Sequence, residues 1–177
     1  MSDDLEMTRT MADEGKVKTF NVVFSVEGKA VGKMRNEIRG QMISPVVDEA
    51  FEMATDEGPA HGGDMTAPPP LAYFCTGFVA CLMTQIRAFS KRLRVPIGEL
   101  TVKAHIEWEA RVEGRDPYTS RPVAFRLDVD FDSDATFEEQ KSLLDAAQKG
   151  CFVEATLANP IPVNHRLMVD GDFKDAD

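Results

Sequence analysis

A long apolar helix is the strongest structural signal in the sequence. From Leu71 to Arg94, large apolar side chains recur at spacings of three, four and seven residues, and small residues form a second stripe. The large residues are Leu71, Phe74, Phe78, Leu82, Phe89 and Leu93, and the small ones are Gly77, Ala80, Thr84 and Ala88. Because the first half is apolar on nearly every side, we predict a central, buried helix. The small stripe would let a second long helix cross closely, for example from a partner subunit.

Strand patterns lie on both sides of this helix. Apolar and polar side chains alternate from Phe20 to Val26, from Thr101 to Val112 and from Val123 to Phe131. This period of two is typical of strands with one apolar face. One or two further strands are predicted between Ala30 and Ile43, and a final strand is predicted from Val163 to Val169.

Two more helices are predicted near the C-terminal end. Thr136 followed three residues later by Glu139 is a capping box, and it opens a helix that closes at Gly150. Cys151 begins a short second helix, which Pro160 stops. Strands and helices therefore occupy separate runs of the chain, which indicates an α+β fold.

The organisation along the chain is simple. Glycines and prolines between Ser44 and Pro70 predict a long loop. We predict one domain at 17–171, a disordered N-terminus at 1–16 and a disordered tail at 172–177.

Charge and composition exclude several classes of function. The formal net charge of -10 disfavours nucleic acid and anionic membrane surfaces, since both require a cationic protein face. The most apolar run, Leu71 to Met83, has 13 residues and is too short to span a bilayer. Residues 1–16 lack the apolar segment of a secretory signal, so we expect a cytoplasmic protein.

Familiar cofactor and metal motifs are missing from the sequence. It contains no phosphate-binding or dinucleotide-binding glycine motif, no C-x-x-C or H-E-x-x-H pattern and no G-x-S-x-G elbow. The three histidines, His61, His105 and His165, lie far apart in sequence. We therefore predict neither a cofactor nor a metal site.

The three cysteines remain as candidates for chemistry, although each alone could be a small apolar filler. Cys75 lies on the apolar stripe and is interpreted as a filler. Cys81 lies beside the small stripe, where a crevice could form. Cys151 heads a short helix, whose free N–H groups and dipole predict a lowered thiol pKa. Cys81 and Cys151 are 70 residues apart, so only the fold could pair them.

Two segments resemble the OsmC/Ohr family of thiol-dependent hydroperoxide reductases. Gly62-Gly63-Asp64 and Pro68-Pro69-Pro70 lead into a helix that carries the pair Ala80-Cys81, which looks like the family's first-cysteine segment. Lys149-Gly150-Cys151-Phe152-Val153, followed by Asn159-Pro160-Ile161-Pro162-Val163, is similar to the second-cysteine segment. The element order is also similar from about 17 to 169.

The resemblance implies a fold, an assembly and a reaction. The fold has antiparallel sheets around a long central helix, in an intertwined homodimer with active sites at its interface. Cys81 would attack an organic hydroperoxide as a thiolate and become a sulfenic acid, and Cys151 would resolve it as a disulfide. A dithiol such as a lipoyl group would then reduce the disulfide.

The sequence also departs from the family's pattern. The family's reductases carry a glutamate ten positions before the first cysteine, where this chain has Leu71. That glutamate orients an arginine from an N-terminal strand, for which Arg39 and Arg35 are candidates. Asp48 or Glu49 could replace the missing carboxylate.

Three functions stay open on the sequence. We predict a thiol peroxidase whose site residues are Cys81, Cys151 and Arg39. The alternative is a non-catalytic OsmC-like protein that binds a small apolar ligand in the dimer-interface crevice. The third possibility is metal binding through Cys81 and Cys151 with a histidine.

Overall fold

Strands and helices occupy separate stretches of the chain, as an α+β fold requires. The computed structural model describes residues 17–176, so the disorder predicted for 1–16 lies outside the described residues. The chain forms two units that divide between Pro69 and Pro70, and each is described by itself. That both belong to the one domain expected at 17–171 stays a prediction.

A three-stranded antiparallel sheet forms the N-terminal unit. Its strands are β1 (Val23–Ala30), β2 (Asn36–Ser44) and β3 (Phe51–Thr55), in the spatial order β1-β2-β3. β1 begins three residues later than the alternation that starts at Phe20. The strands predicted on both sides of Ala30 are therefore confirmed with shifted boundaries.

β3 lies inside the segment from Ser44 to Pro70, so the prediction of one long loop there is wrong. The same segment also contains a 3-10 helix at Pro59–His61. The sequence pattern does not show β3 because its packing is non-local: Phe51 pairs with Gly40, and its ring fills the space of the missing Cβ. The glycine that interrupts the pattern of β2 thus lets β3 pack against it.

A buried carboxylate directly after β3 closes the following loop. Asp56 accepts hydrogen bonds from the N–H of Glu57 at 2.9 Å and from the N–H and hydroxyl of Thr66 at 2.9 and 2.7 Å. The N–H of Thr66 is the main cause of the lowered pKa of Asp56, since such donors stabilise the ionised carboxylate. Arg35 donates to the Thr66 hydroxyl at 3.0 Å. Residues 57–66 therefore form a closed, hydrogen-bonded loop.

The C-terminal unit contains the helices and the clearest strands. Its first five elements are α1 (Pro70–Leu93), β4 (Leu100–Arg111), β5 (Thr119–Phe131), α2 (Phe137–Gly150) and α3 (Phe152–Ala158). β4 and β5 pair antiparallel along their length, with one irregularity. Each of these elements is predicted from the sequence, and each is confirmed with ends that differ by at most four residues.

A short hairpin follows, so the prediction of a disordered tail is wrong for 172–175. β6 (Arg166–Val169) pairs with β7 (Asp172–Asp175) in an antiparallel hairpin. The two residues between them, Asp170 and Gly171, have φ angles of 55° and 87°. An Asp-Gly pair with both φ positive is the turn that suits a two-residue hairpin. The acidic composition of residues 172–177 suggested disorder, although the Asp170-Gly171 pair is itself a local signal for a hairpin.

One face of α1 packs against the rest of its unit. Its buried residues recur every four positions, at Phe78, Leu82, Ile86 and Ser90. Leu82 and Ile86 join Leu143 and Ala147 of α2 in the core of this unit. Leu71 is 55% exposed, and other residues of α1 are exposed or half-buried. Burial on all sides is therefore not seen among the described residues of this unit, where α1 contacts α2, α3 and β4 and its buried residues form one stripe.

By length and composition alone, α1 could also cross a membrane, since it has 24 residues and is largely apolar. The 13-residue apolar run from Leu71 to Met83 is only part of this helix. The buried stripe of α1 contacts the amphipathic helix α2, which is how a core helix of a globular unit behaves.

The capping box at the start of α2 is confirmed. The hydroxyl of Thr136 accepts from the N–H of Glu139, and the Glu139 carboxylate accepts from the N–H of Thr136 at 2.8 Å. The same carboxylate lies 2.7 Å from the Thr136 hydroxyl. A glutamate three residues after the N-cap therefore reaches the side chain of the N-cap residue in this fold.

Candidate active site

Cys151 is completely buried at the junction of two helices. It ends α2, donating its N–H to the carbonyl of Gln148 at 3.2 Å, and it begins α3, where its carbonyl accepts from Ala155 at 2.9 Å. Its exposed fraction is 0%. The residue before it, Gly150, faces the ring of Phe89 on α1, and a Cβ there would lie 2.6 Å from that ring. The glycine thus allows α1 to approach the junction closely.

The fold brings Cys81 to Cys151. Cys81 lies on α1, is half-buried, and packs against the core cluster that contains Cys151. The thiol of Cys151 is hydrogen-bonded with the side chain of Cys81. Both cysteines are free thiols, as is the half-buried Cys75. Within the described chain, Cys75 is not among the side chains packed on this core.

The lowered pKa predicted for Cys151 is wrong. Burial, and to a smaller extent the neighbouring Cys81, raise the pKa of the Cys151 thiol to about 11. The N–H groups of Glu154 and Val153 act in the predicted direction, towards the thiolate. They are outweighed because a fully buried thiolate loses its hydration, which a few helix N–H groups do not replace.

The two thiols therefore differ in environment. Cys151 is buried and remains protonated at neutral pH, so its S–H can donate to the sulfur of Cys81. Cys81 is partly exposed and can be reached from solvent. A contact between two free thiols is what disulfide formation requires, and the more accessible member is the one that meets a dissolved reactant first.

Four aromatic rings form a cluster beside the first half of α1. Phe125 of β5 packs edge-on against Phe74, Phe78 and Trp108 of β4, with ring centroids 5.7–6.3 Å apart. Phe74 also packs edge-on against Trp108 and is tilted against Phe78. Phe74 and Phe78 precede Cys81 by seven and three residues, so they share its side of the helix. Cys81 therefore follows this aromatic cluster along the same side of α1.

Glu154 is a residue that the sequence analysis missed. It lies in α3 three residues after Cys151, and burial raises the pKa of its carboxyl group. Its Oε1 atom is buried without a hydrogen-bond partner. The only available signal was its spacing from Cys151, which matches that of Glu139 from Thr136.

The predicted arginines lie in the N-terminal unit. Arg39 is on β2, opposite Glu27 of β1 and Glu52 of β3. Arg35 precedes β2 and donates to Thr66. Action of Arg39 or Arg35 on Cys81 stays a prediction.

The other residues singled out in the sequence have ordinary surroundings. Leu71 is the second residue of α1 and is largely exposed, while Asp48 and Glu49 lie exposed between β2 and β3. His61 and His105 are exposed, with carboxylates at 3.8 and 3.9 Å. Among residues 17–176, no three His, Cys, Asp or Glu side chains are grouped to hold a metal ion.

The fold and the site together define an α+β protein in which three helices bring two distant thiols into contact. Residues 61–166 match the profile of a family described as OsmC-like protein. The chain therefore belongs to the OsmC-like family, which confirms the resemblance seen in the sequence.

Solved structures agree with this assignment. The OsmC-like hydroperoxide resistance protein of Jannaschia sp. CCS1 is 45% identical, with a TM-score of 0.61 over 88% of this chain and 98% of that chain. The OsmC-like protein of Mycoplasma pneumoniae is 17% identical, with a TM-score of 0.53 over 81% of this chain and 89% of that one. The second likeness concerns the fold alone. A search of curated proteins gave no significant match.

Proposed function

We propose that this protein reduces organic hydroperoxides with Cys81 as the attacking thiol and Cys151 as the resolving thiol. The observation that carries the proposal is the contact between a half-buried Cys81 and a fully buried, protonated Cys151. The asymmetry supports the order of roles, because the accessible sulfur meets the peroxide and the buried one waits beside it.

The reaction has two balanced steps. In the first, the thiolate of Cys81 attacks the terminal peroxide oxygen; an S–O bond forms, the O–O bond breaks, and the alkoxide leaves as an alcohol after taking a proton. In the second, the Cys151 sulfur attacks the sulfenic acid; an S–S bond forms, the S–O bond breaks, and water leaves. A dithiol reductant, for which we propose a lipoyl group or a similar compound, returns both thiols.

The aromatic cluster beside α1 supports an organic hydroperoxide as the substrate. Phe74, Trp108 and Phe125 are half-buried apolar rings, and Phe74 lies on the same side of α1 as Cys81, which favours a peroxide with an apolar group over hydrogen peroxide. The relative from Jannaschia, 45% identical, is described as a hydroperoxide resistance protein. From the resemblance alone, we also propose that Arg39 stabilises the thiolate. A cytoplasmic location stays a separate proposal.

We propose that the chain works as an intertwined homodimer. Every residue of β1 is exposed, including Phe24 at 52% and Val26 at 57%, and so is most of the small stripe of α1. Such apolar surface is typical of a face that a second subunit covers. Sedimentation equilibrium is expected to give twice the chain mass of 19.6 kDa. A single-chain mass at micromolar concentration would contradict this proposal.

Thiol counting is the direct test of the function. We expect one equivalent of an organic hydroperoxide, such as cumene hydroperoxide, to remove two of the three titratable thiols of the denatured protein, leaving Cys75. Added dithiol should restore all three. Peptide mapping should show a disulfide between Cys81 and Cys151. No loss of thiols would instead favour the alternative, an OsmC-like binding protein for a small apolar ligand.

A further inference from the structure

The half-buried side chain of Glu154 has one carboxylate oxygen without the hydrogen-bond partner that a buried polar atom normally has. Among residues 17–176, this Oε1 atom is the one buried side-chain nitrogen or oxygen that has no hydrogen-bond partner. Burying a polar atom without a partner costs stability, and a charged one costs more. Burial therefore raises the pKa of the carboxyl group, which makes its ionised form a stronger proton acceptor. In the two-thiol reaction proposed above, a carboxylate near Cys151 could transfer a proton.

The geometry of the chain brings such a carboxylate towards Cys151. Cys151 is the N-cap of α3 and Glu154 is its third residue, the same relation as Thr136 and Glu139 in α2. In α2, the carboxylate at this position lies 2.7 Å from the side-chain hydroxyl of the N-cap residue. A glutamate side chain in α3 can therefore reach the thiol of Cys151 by rotation of its own torsions.

The two caps differ in one respect. In α2 the carboxylate also binds the N–H of Thr136, whereas the N–H of Cys151 already donates to Gln148. The thiol is thus the remaining hydrogen-bond donor of Cys151, and the Glu154 carboxylate could accept its hydrogen. Cys151 remains protonated at neutral pH, so its attack on a sulfenic acid needs a proton acceptor.

We propose that Glu154 accepts the proton of the Cys151 thiol as this sulfur attacks the sulfenic acid of Cys81, and passes the proton to the leaving hydroxide. The S–S bond forms, the S–O bond of Cys81 breaks, and the hydroxide leaves as water, so no further reactant is consumed. This role rests on the proposed function, since it concerns the second step of the same reaction. Glu154 has no part in the first step, which proceeds at Cys81.

The test separates the two steps in time. Full-length native protein, Glu154→Gln, Glu154→Asp and the matched control Glu139→Gln are mixed with one equivalent of cumene hydroperoxide. Samples are quenched with an alkylating agent, the remaining thiols are counted by mass, and the sulfenic acid is trapped with dimedone. Glutamine keeps the shape and removes proton acceptance, and Glu139→Gln makes the same change at the same helix position of α2.

We expect Glu154→Gln to lose the first thiol at the native rate and to form the disulfide about 100-fold more slowly, with the sulfenic acid accumulating. Glu154→Asp should recover part of the second rate, and Glu139→Gln should match the native protein in both. Disulfide formation in Glu154→Gln at the native rate would overturn the proton-transfer role and leave the proposed function intact. A native protein that loses no thiol would overturn both. Circular dichroism checks that each variant is folded.

Discussion

Replacing Cys81 by serine is expected to abolish hydroperoxide reduction. A serine hydroxyl is scarcely ionised at neutral pH and is a poor nucleophile towards the O–O bond, so the first step has no attacking group. Turnover by Cys81→Ser should therefore fall to the rate of the uncatalysed reaction. Cys151→Ser should behave differently: Cys81 still attacks, so one equivalent of peroxide is consumed and one thiol is lost, after which the reaction stops as the sulfenic acid.

These variants are compared by following peroxide loss in the presence of excess dithiol, with Cys75→Ser as the control. Cys75 does not pack on the core that holds the thiol pair in the described chain, and its replacement should leave the rate unchanged. Full steady-state turnover by both Cys81→Ser and Cys151→Ser would show that the roles assigned to them are wrong.

Gly63→Ala is expected to be the most destabilising change in the loop after β3. A Cβ at residue 63 would overlap the carbonyl oxygen of Glu57 and stand 2.9 Å from the carboxylate of Asp56. Both are held by the loop's own hydrogen bonds, so the clash cannot be relieved without opening it. We expect a loss of about 3 kcal/mol in the free energy of unfolding, at the upper end of the usual cost of overpacking.

Gly58→Ala is the matched control in the same loop. Its Cβ would meet the terminal methyl of Met65 at 3.3 Å, which is a flexible group that can move aside. Its φ of -74° suits any residue. Urea unfolding should therefore show a native-like midpoint for Gly58→Ala and a much lower one for Gly63→Ala. Equal midpoints would mean that the loop is not closed as described.

Local periodicity was enough to predict most of the C-terminal unit. α1, β4, β5 and α2 are long, and their patterns repeat over two or more turns or pleats, so each element is specified by its own residues. The capping box at Thr136 is local as well, since four residues contain it. β3 could not be found in this way, because the reason for it lies at Gly40 on another strand.

The candidate site depended on knowledge beyond pattern and spacing. Nothing in the sequence pairs Cys81 with Cys151, and the resemblance to a family supplied the pairing before the structure showed the contact. The pKa of Cys151 was predicted in the wrong direction because its burial depends on α1, α2 and α3 together. Glu154 was missed for the same reason, since an unpartnered buried oxygen can be seen only in a packed structure.

Gly150 has only a hydrogen where any other residue would place a Cβ atom against the ring of Phe89. A larger residue there would push α1 away from the α2–α3 junction, and the sulfur atoms of Cys81 and Cys151 would move apart. The proposed redox chemistry would thus be sensitive to side-chain size at residue 150, which has no part in its proton or electron transfers. A chain that loses Gly150 could keep both cysteines and still be unable to join them.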